Sequence, residues 1–297
     1  MQLNIPTLSS LILLVLVGLS TPVHSAEKYS TQDWNSIINL SGKQRMLTQQ
    51  ISKELLLIAA SSEISALNKA DIYTELLEST ELFEQTLIGL RDGDEELGLK
   101  PAKSDIIRGK IGAAMRMWQQ FKPNIDHIIT TTDTQGYIEV ASQALPILNE
   151  MNSTVQLIQK AAIIESGRTN GIIINYAGRQ RMLIQKMAKE ALLIYLSSEN
   201  RNNLFRSMWM FEETIRALIN GGEITKDDGA KITIPRVSDS TSQAQLSRVR
   251  KSWDGYKSLL NNKITSQSVV HIAIWSKSLL IEMDRAVKML ERSRGVQ

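Results

Sequence analysis

Two segments of this chain are near-copies of each other, and that duplication limits the fold more than any other feature. Ile37 to Glu63 reads IINLSGKQRMLTQQISKELLLIAASSE, and Ile173 to Glu199 reads IINYAGRQRMLIQKMAKEALLIYLSSE. At a constant offset of 136, seventeen of the twenty-seven positions are identical. Weaker echoes follow in the same order. Leu82 to Thr86 answers Met210 to Thr214, Trp118 answers Trp253, and Glu150-Met151-Asn152 answers Glu282-Met283-Asp284. A fixed-period repeat of this kind means one structural unit used twice.

Each block carries helical periodicity. Leu47, Ile51, Leu55 and Ile58 recur at the spacing of an apolar helix face, and Leu183, Met187, Ala191 and Ile194 repeat it. Further helices are expected over about Ser65 to Leu90, about Ser104 to Ile129, and from Thr134 onward. Asp92-Gly93-Asp94, Gly98 to Pro101, Gly221-Gly222 and Ile234-Pro235 break the pattern between them. The fold class is therefore all-α, as two tandem antiparallel four-helix bundles. No proline interrupts Leu148 to Ile234, so helix four of the first repeat is expected to run into helix one of the second. That would stack the bundles end to end. A side-by-side pseudo-dimer instead needs a sharp turn near Gly167 to Gly171.

At the amino terminus, Leu11 to Leu19 is a short apolar run followed by Val23-His24-Ser25 and Ala26. It is too short to span a bilayer comfortably, which takes about 20 apolar residues. It reads as an export signal, although no Lys or Arg precedes it; an uncleaved anchor is the alternative. The expected layout is a signal peptide over residues 1–26, one module over 27–165 and a second over 166–297, in the periplasm. The chain has no cysteine, which rules out disulfides, thiolate chemistry and a lipoprotein anchor. A net charge of +3, with acids and bases interleaved, gives no basic tract of the kind nucleic acid requires.

The repeated motif is Asn-x-[Ser/Ala]-Gly-[Lys/Arg]-Gln-Arg-Met-Leu-x-Gln. On a helix, Gly42, Arg45 and Gln49 share a stripe, and Gly178, Arg181 and Gln185 repeat it. A mid-helix glycine costs about 1 kcal/mol relative to alanine, so its retention beside an arginine suggests close approach to the backbone. Guanidinium is a planar, permanent cation whose forked donors suit flat oxyanions. Gly for access, Arg for charge and Gln for orientation make a small-anion site. The plainer reading is a helix–helix contact with solvated arginines.

These blocks resemble the PilJ-type module, the amino-terminal periplasmic domain of type IV pilus methyl-accepting chemotaxis transducers. That module is similar in turn to the sensor domains of nitrate/nitrite-responsive histidine kinases. Asn175, Ala177, Gly178, Arg179, Gln180, Arg181, Met182, Leu183 and Gln185 match the family's helix; the first repeat departs from it at Ser41 and Lys43. The resemblance implies an anion held at a symmetric interface between two first helices, by Gly42 and Arg45 with Gly178 and Arg181. Nitrate or nitrite is the ligand it suggests, and a homodimer is an assembly it allows. Such modules normally sit between two membrane spans, whereas this sequence ends at Gln297 soon after a helix, so a membrane-bound sensor or chemoreceptor is the expected partner.

Catalytic patterns are missing. His127 and His271 have no ligand partners at metal spacing, and there is no Glu-x-x-His, no Gly-x-Ser-x-Gly and no phosphate loop. Asp227-Asp228 reads as a solvated turn. The expectation is a non-enzyme without metal or cofactor. Two functions stand against each other: a ligand-binding sensory protein, and a helical scaffold of an envelope complex related to pili or chemoreceptors.

Overall fold

The computed structural model describes residues 28–130, 134–226 and 229–293. The expected leader over 1–26 and the Asp227-Asp228 pair lie outside the described residues. Among these residues the chain forms nine helices and two short strands. The first repeat holds α1 (Thr31–Ala60), α2 (Lys69–Asp92), α3 (Asp105–Ile129), α4 (Thr134–Ser142) and α5 (Ala144–Ser166). The second holds α6 (Asn170–Ser197), α7 (Asn202–Asn220), β1 (Gly222–Thr225), β2 (Lys231–Ile234), α8 (Ser240–Asn261) and α9 (Ser266–Arg292).

Local chemistry accounts for the helix ends. Ser30 caps α1 in a reciprocal pair with Asp33, and Thr265 caps α9 in the same way with Ser268. The Asn68 and Asp239 side chains accept from the first amides of α2 and α8. The fourth helix of the first repeat is interrupted at Gln143, which divides it into α4 and α5. Pro146 explains the break, because it has no N–H to give the Ser142 carbonyl and its ring crowds that carbonyl.

The fold is all-α; each repeat is a four-helix bundle, and one continuous apolar core runs through both. The weak echoes in the sequence mark that core. Phe83 stacks on Trp118 at 4.5 Å and Trp118 meets Phe121 edge-on. Phe211 stacks on Trp253 at 4.5 Å and Trp253 meets Tyr256 edge-on, so the cluster is built twice. No helix among the described residues is long and apolar enough to cross a membrane.

The bundles do not stack end to end on a continuous helix. Alpha-helix α5 stops at Ser166, where Gly167 adopts a left-handed conformation (φ 68°) and its amide caps the Ile163 carbonyl. This is a helix C-terminus of the glycine type, and it needs no proline. The chain turns through Arg168 and Thr169, then starts α6. The two first helices, α1 and α6, pack against each other more extensively than any other pair. Asn35 meets Asn170, Ile38 meets Gly171, Arg45 meets Asn175 and Glu63 meets Tyr195. Those pairings rise together along both helices, so α1 and α6 run parallel. The bundles lie side by side about a pseudo-two-fold axis along this seam.

A second departure is the antiparallel hairpin of β1 and β2, where Gly222 pairs with Ile234 and Thr225 with Lys231. The Gly221-Gly222 and Ile234-Pro235 breakers flank it. The first repeat has only a single bridge between Asp94 and Leu99 at the corresponding place.

Candidate functional site

The motif faces the seam. The Arg45 and Arg181 side chains, 3 % and 1 % exposed, cross it in opposite directions. Arg45 Nη2 donates to the side-chain oxygen of Asn175 at 2.7 Å and to its backbone carbonyl at 3.2 Å. Arg181 Nη2 makes the same two bonds to Asn39, again at 2.7 and 3.2 Å. Each motif thus supplies an arginine to the other repeat and an asparagine to receive the other's.

The glycines make room for these guanidinium groups. A methyl at position 42 would stand 3.3 Å from Arg45 Nη2, and one at 178 would stand 3.5 Å from Arg181 Nη2 and 3.9 Å from Arg45 Nη2. What approaches the glycine backbone is the protein's own arginine. Both guanidinium groups therefore converge near Gly178. Gly171 serves the packing itself, since a methyl there would meet Ile38 Cδ1 at 2.8 Å.

The other nitrogens differ between the halves. Arg181 Nη1 bonds the Asp284 carboxylate at 2.7 Å, while Arg45 Nη1 reaches only the Asn152 side-chain oxygen, at 3.5 Å. Burial pushes the Asp284 pKa up, but Arg181 and Lys288 outweigh it and hold the carboxyl below its ordinary range. Burial, then Arg179 and Arg181, push the Arg45 pKa down to about 9. Among the described residues every hydrogen-bond acceptor of Arg45 is uncharged, and its Nε has none. Leaving a charge buried without a counter-ion is expensive.

Beside Arg45 a cavity of about 200 Å³ opens between α1, α5 and α6. Asn152, Gln156 and Asn175 line it with amides; Tyr176, Arg179 and Lys226 complete it. Lys226 comes from the hairpin. Among the described residues this lining contains no carboxylate. A wider groove of about 500 Å³ runs between α1, α2 and α9 on the Arg181 side, where Asp284, Glu75 and Glu78 mix with Lys43, Lys277 and Lys288.

Gln49 and Gln185 are buried one turn beyond the arginines, and neither bonds to them. The Gln49 amide nitrogen reaches the Thr48 hydroxyl at 3.5 Å, and Gln185 faces the wider groove with neither amide atom bonded to protein. The pairing of Asn39 and Asn175 with the opposite arginines escaped sequence reasoning, although both asparagines belong to the motif. So did the contrast of Asn152 with Asp284, which was visible as the single mismatch of an otherwise matched block. His127 and His271 are exposed and sit on different helices, α3 and α9.

Two parallel first helices that exchange an arginine and an asparagine across a seam, each heading its own four-helix bundle, define a paired helical module. The chain belongs to the family described as the type IV pili methyl-accepting chemotaxis transducer N-terminal domain, PilJ, whose model matches residues 30–144 and 164–273. It is also similar to the methyl-accepting chemotaxis protein McpN of Pseudomonas aeruginosa, with 30 % identity over 128 residues. That match covers 42 % of this chain and 23 % of McpN. A sensory or signalling role follows from this membership.

Proposed function

We propose that this chain is a non-catalytic, periplasmic sensory protein that binds a small anion at the α1–α6 seam and acts through a membrane-bound sensor or chemoreceptor. One observation carries the reading. Arg45 is a fully buried guanidinium with only neutral acceptors among the described residues, at the wall of a cavity large enough for a small oxyanion. An anion there gains a charge-assisted bond in a low-dielectric site and relieves the cost of the buried charge. Gly42 and Gly178 let the arginines lie close to the helix axes and Arg45 and Arg181 supply the charge, with Gln49 and Gln185 buried one turn further along the same helices. Nitrate and nitrite are the first ligands to try, since planar oxyanions match the forked guanidinium donors.

The test is a thermal-shift titration of the protein with nitrate, nitrite and other oxyanions, using chloride as control. A ligand at 100 times its Kd stabilises the folded state by about 2.7 kcal/mol through mass action. A selective, saturable rise in Tm that vanishes in the Arg45→Ala, Arg181→Ala variant is the expected result. No response across the panel sinks the reading. It would favour an envelope scaffold instead, for which Phe205 and Trp209 speak: they lie one turn apart on α7, each about half exposed.

A further inference from the structure

The seam is symmetric in shape and asymmetric in charge. At the offset of 132 that relates α9 to α5, Asp284, Lys288 and Glu291 answer Asn152, Gln156 and Gln159. The contacts are conserved across that change. Asp284 accepts from Arg181 at 2.7 Å where Asn152 accepts from Arg45 at 3.5 Å. Glu291 accepts from the Asn39 amide at 2.6 Å where Gln159 accepts from Asn175 at 2.5 Å. Asp284 and Glu291 on the Arg181 side are thus answered by the amides of Asn152 and Gln159 on the Arg45 side.

We infer that the anion site is one-sided: a single monovalent anion lodges against Arg45 between α1, α5 and α6, and Asn152 is the residue that keeps this half open. Asp284 is the built-in occupant of the other half. This inference rests on the anion-binding reading above and specifies which half of the seam takes the ligand, and how many.

The physical argument is one of charge matching. An anion approaching Arg181 meets a guanidinium already bonded to a carboxylate, so it must displace Asp284 or sit beside a like charge in a poorly screened interior. An anion approaching Arg45 meets no carboxylate in the described lining and displaces only a long bond to a neutral amide. Arg45 itself carries one unit of charge, which one monovalent anion matches, while Arg179 and Lys226 in the same lining have interactions of their own. The amides of Asn152 and Gln156 can each turn a donor toward it. An aspartate at 152 would stand where Asp284 stands relative to Arg181, and would fill the site with the protein's own carboxylate.

The experiment is calorimetric titration of the full chain with nitrate, and with sulfate as a dianion, alongside ligand-free melting curves. The variants are Asn152→Asp, Asn152→Leu and Asp284→Asn. The wild type should bind one nitrate per chain and prefer it to sulfate. Asn152→Asp should weaken nitrate binding by at least about tenfold while raising the ligand-free Tm, because a counter-ion inside a buried pair competes with the ligand and relieves the lone charge. The raised Tm also certifies that the variant is folded. Asn152→Leu, which removes the amide without adding charge, should weaken nitrate binding by less than Asn152→Asp does. Asp284→Asn should leave the first site intact and add a second, weaker equivalent.

Nitrate binding that survives Asn152→Asp unchanged, or that disappears in Asp284→Asn alone, overturns the one-sided site and leaves anion binding standing. A wild type silent to the whole panel overturns both.

Discussion

Glu54, further along α1 than Arg45, shows the same asymmetry with the opposite sign. It is fully buried, and its Oε1 accepts from Gln50 at 2.8 Å and Ser79 at 3.3 Å. Its counterpart Glu190 pairs with Lys186, which stands where the first repeat has Gln50. Burial pushes the Glu54 pKa up to about 7, with Lys53, Gln50 and Ser79 only partly opposing it. From about pH 4.5 to 7 the folded chain therefore keeps a proton that the unfolded chain has released. Stability is fully present below that window and falls as pH rises through it. Glu54→Gln should flatten the fall and leave the variant more stable at pH 8 by roughly 2 kcal/mol; melting curves across pH 4 to 8 read this directly. Gln44 and Gln180 offer a plainer case. Both are fully buried and neither amide end has a protein partner. Gln44→Leu should raise stability by about 1 kcal/mol in chemical denaturation, since an unsatisfied amide costs about 1–3 kcal/mol. A loss of stability there would show that the amide has a bound water or ligand to serve.

At the scale of elements, the helices were legible because their signals are local. The stripe of Leu47, Ile51, Leu55 and Ile58 and its copy can be seen without knowing what either packs against. Gly167 was harder to read. A stretch without proline looks continuous, yet one left-handed glycine ends α5 and lets the chain reverse. Gly167→Ala should cost about 1 kcal/mol of stability in denaturant melts, because its φ of 68° disfavours any side chain while nothing lies within 4 Å of the added methyl. An unchanged midpoint would mean that the turn tolerates another conformation. The hairpin was hidden for a different reason. Strands of four residues, Gly222–Thr225 and Lys231–Ile234, are too short to show a period, and their flanking glycines and proline read as plain breakers. The site was only half legible: residue types suggested an anion, but the bonds that place Arg45 on Asn175 exist only once α1 lies against α6.

At the scale of the molecule, the seam between two first helices that the family resemblance implies lies here within one chain. Its two sides are joined by a three-residue turn, so the pairing does not depend on a second copy. The Tm of the ligand-free protein should accordingly stay constant over a hundredfold range of protein concentration. A rise with concentration would show that an association of chains contributes to the folded state. The exchanged Arg–Asn pairs bind the repeats to each other through groups that neither bundle can satisfy alone. The unit that unfolds should be the pair, seen as one transition in calorimetry.

In an assembly of two identical chains, any substitution at the axis is read twice, so both halves must accept it together. In this chain each position is read once. Asp284 stands opposite Arg181 while Arg45 keeps its neutral neighbours, and Lys186 faces Glu190 while Glu54 keeps its glutamine. Within one chain neither copy has to mirror the other, and the two arginines keep different company.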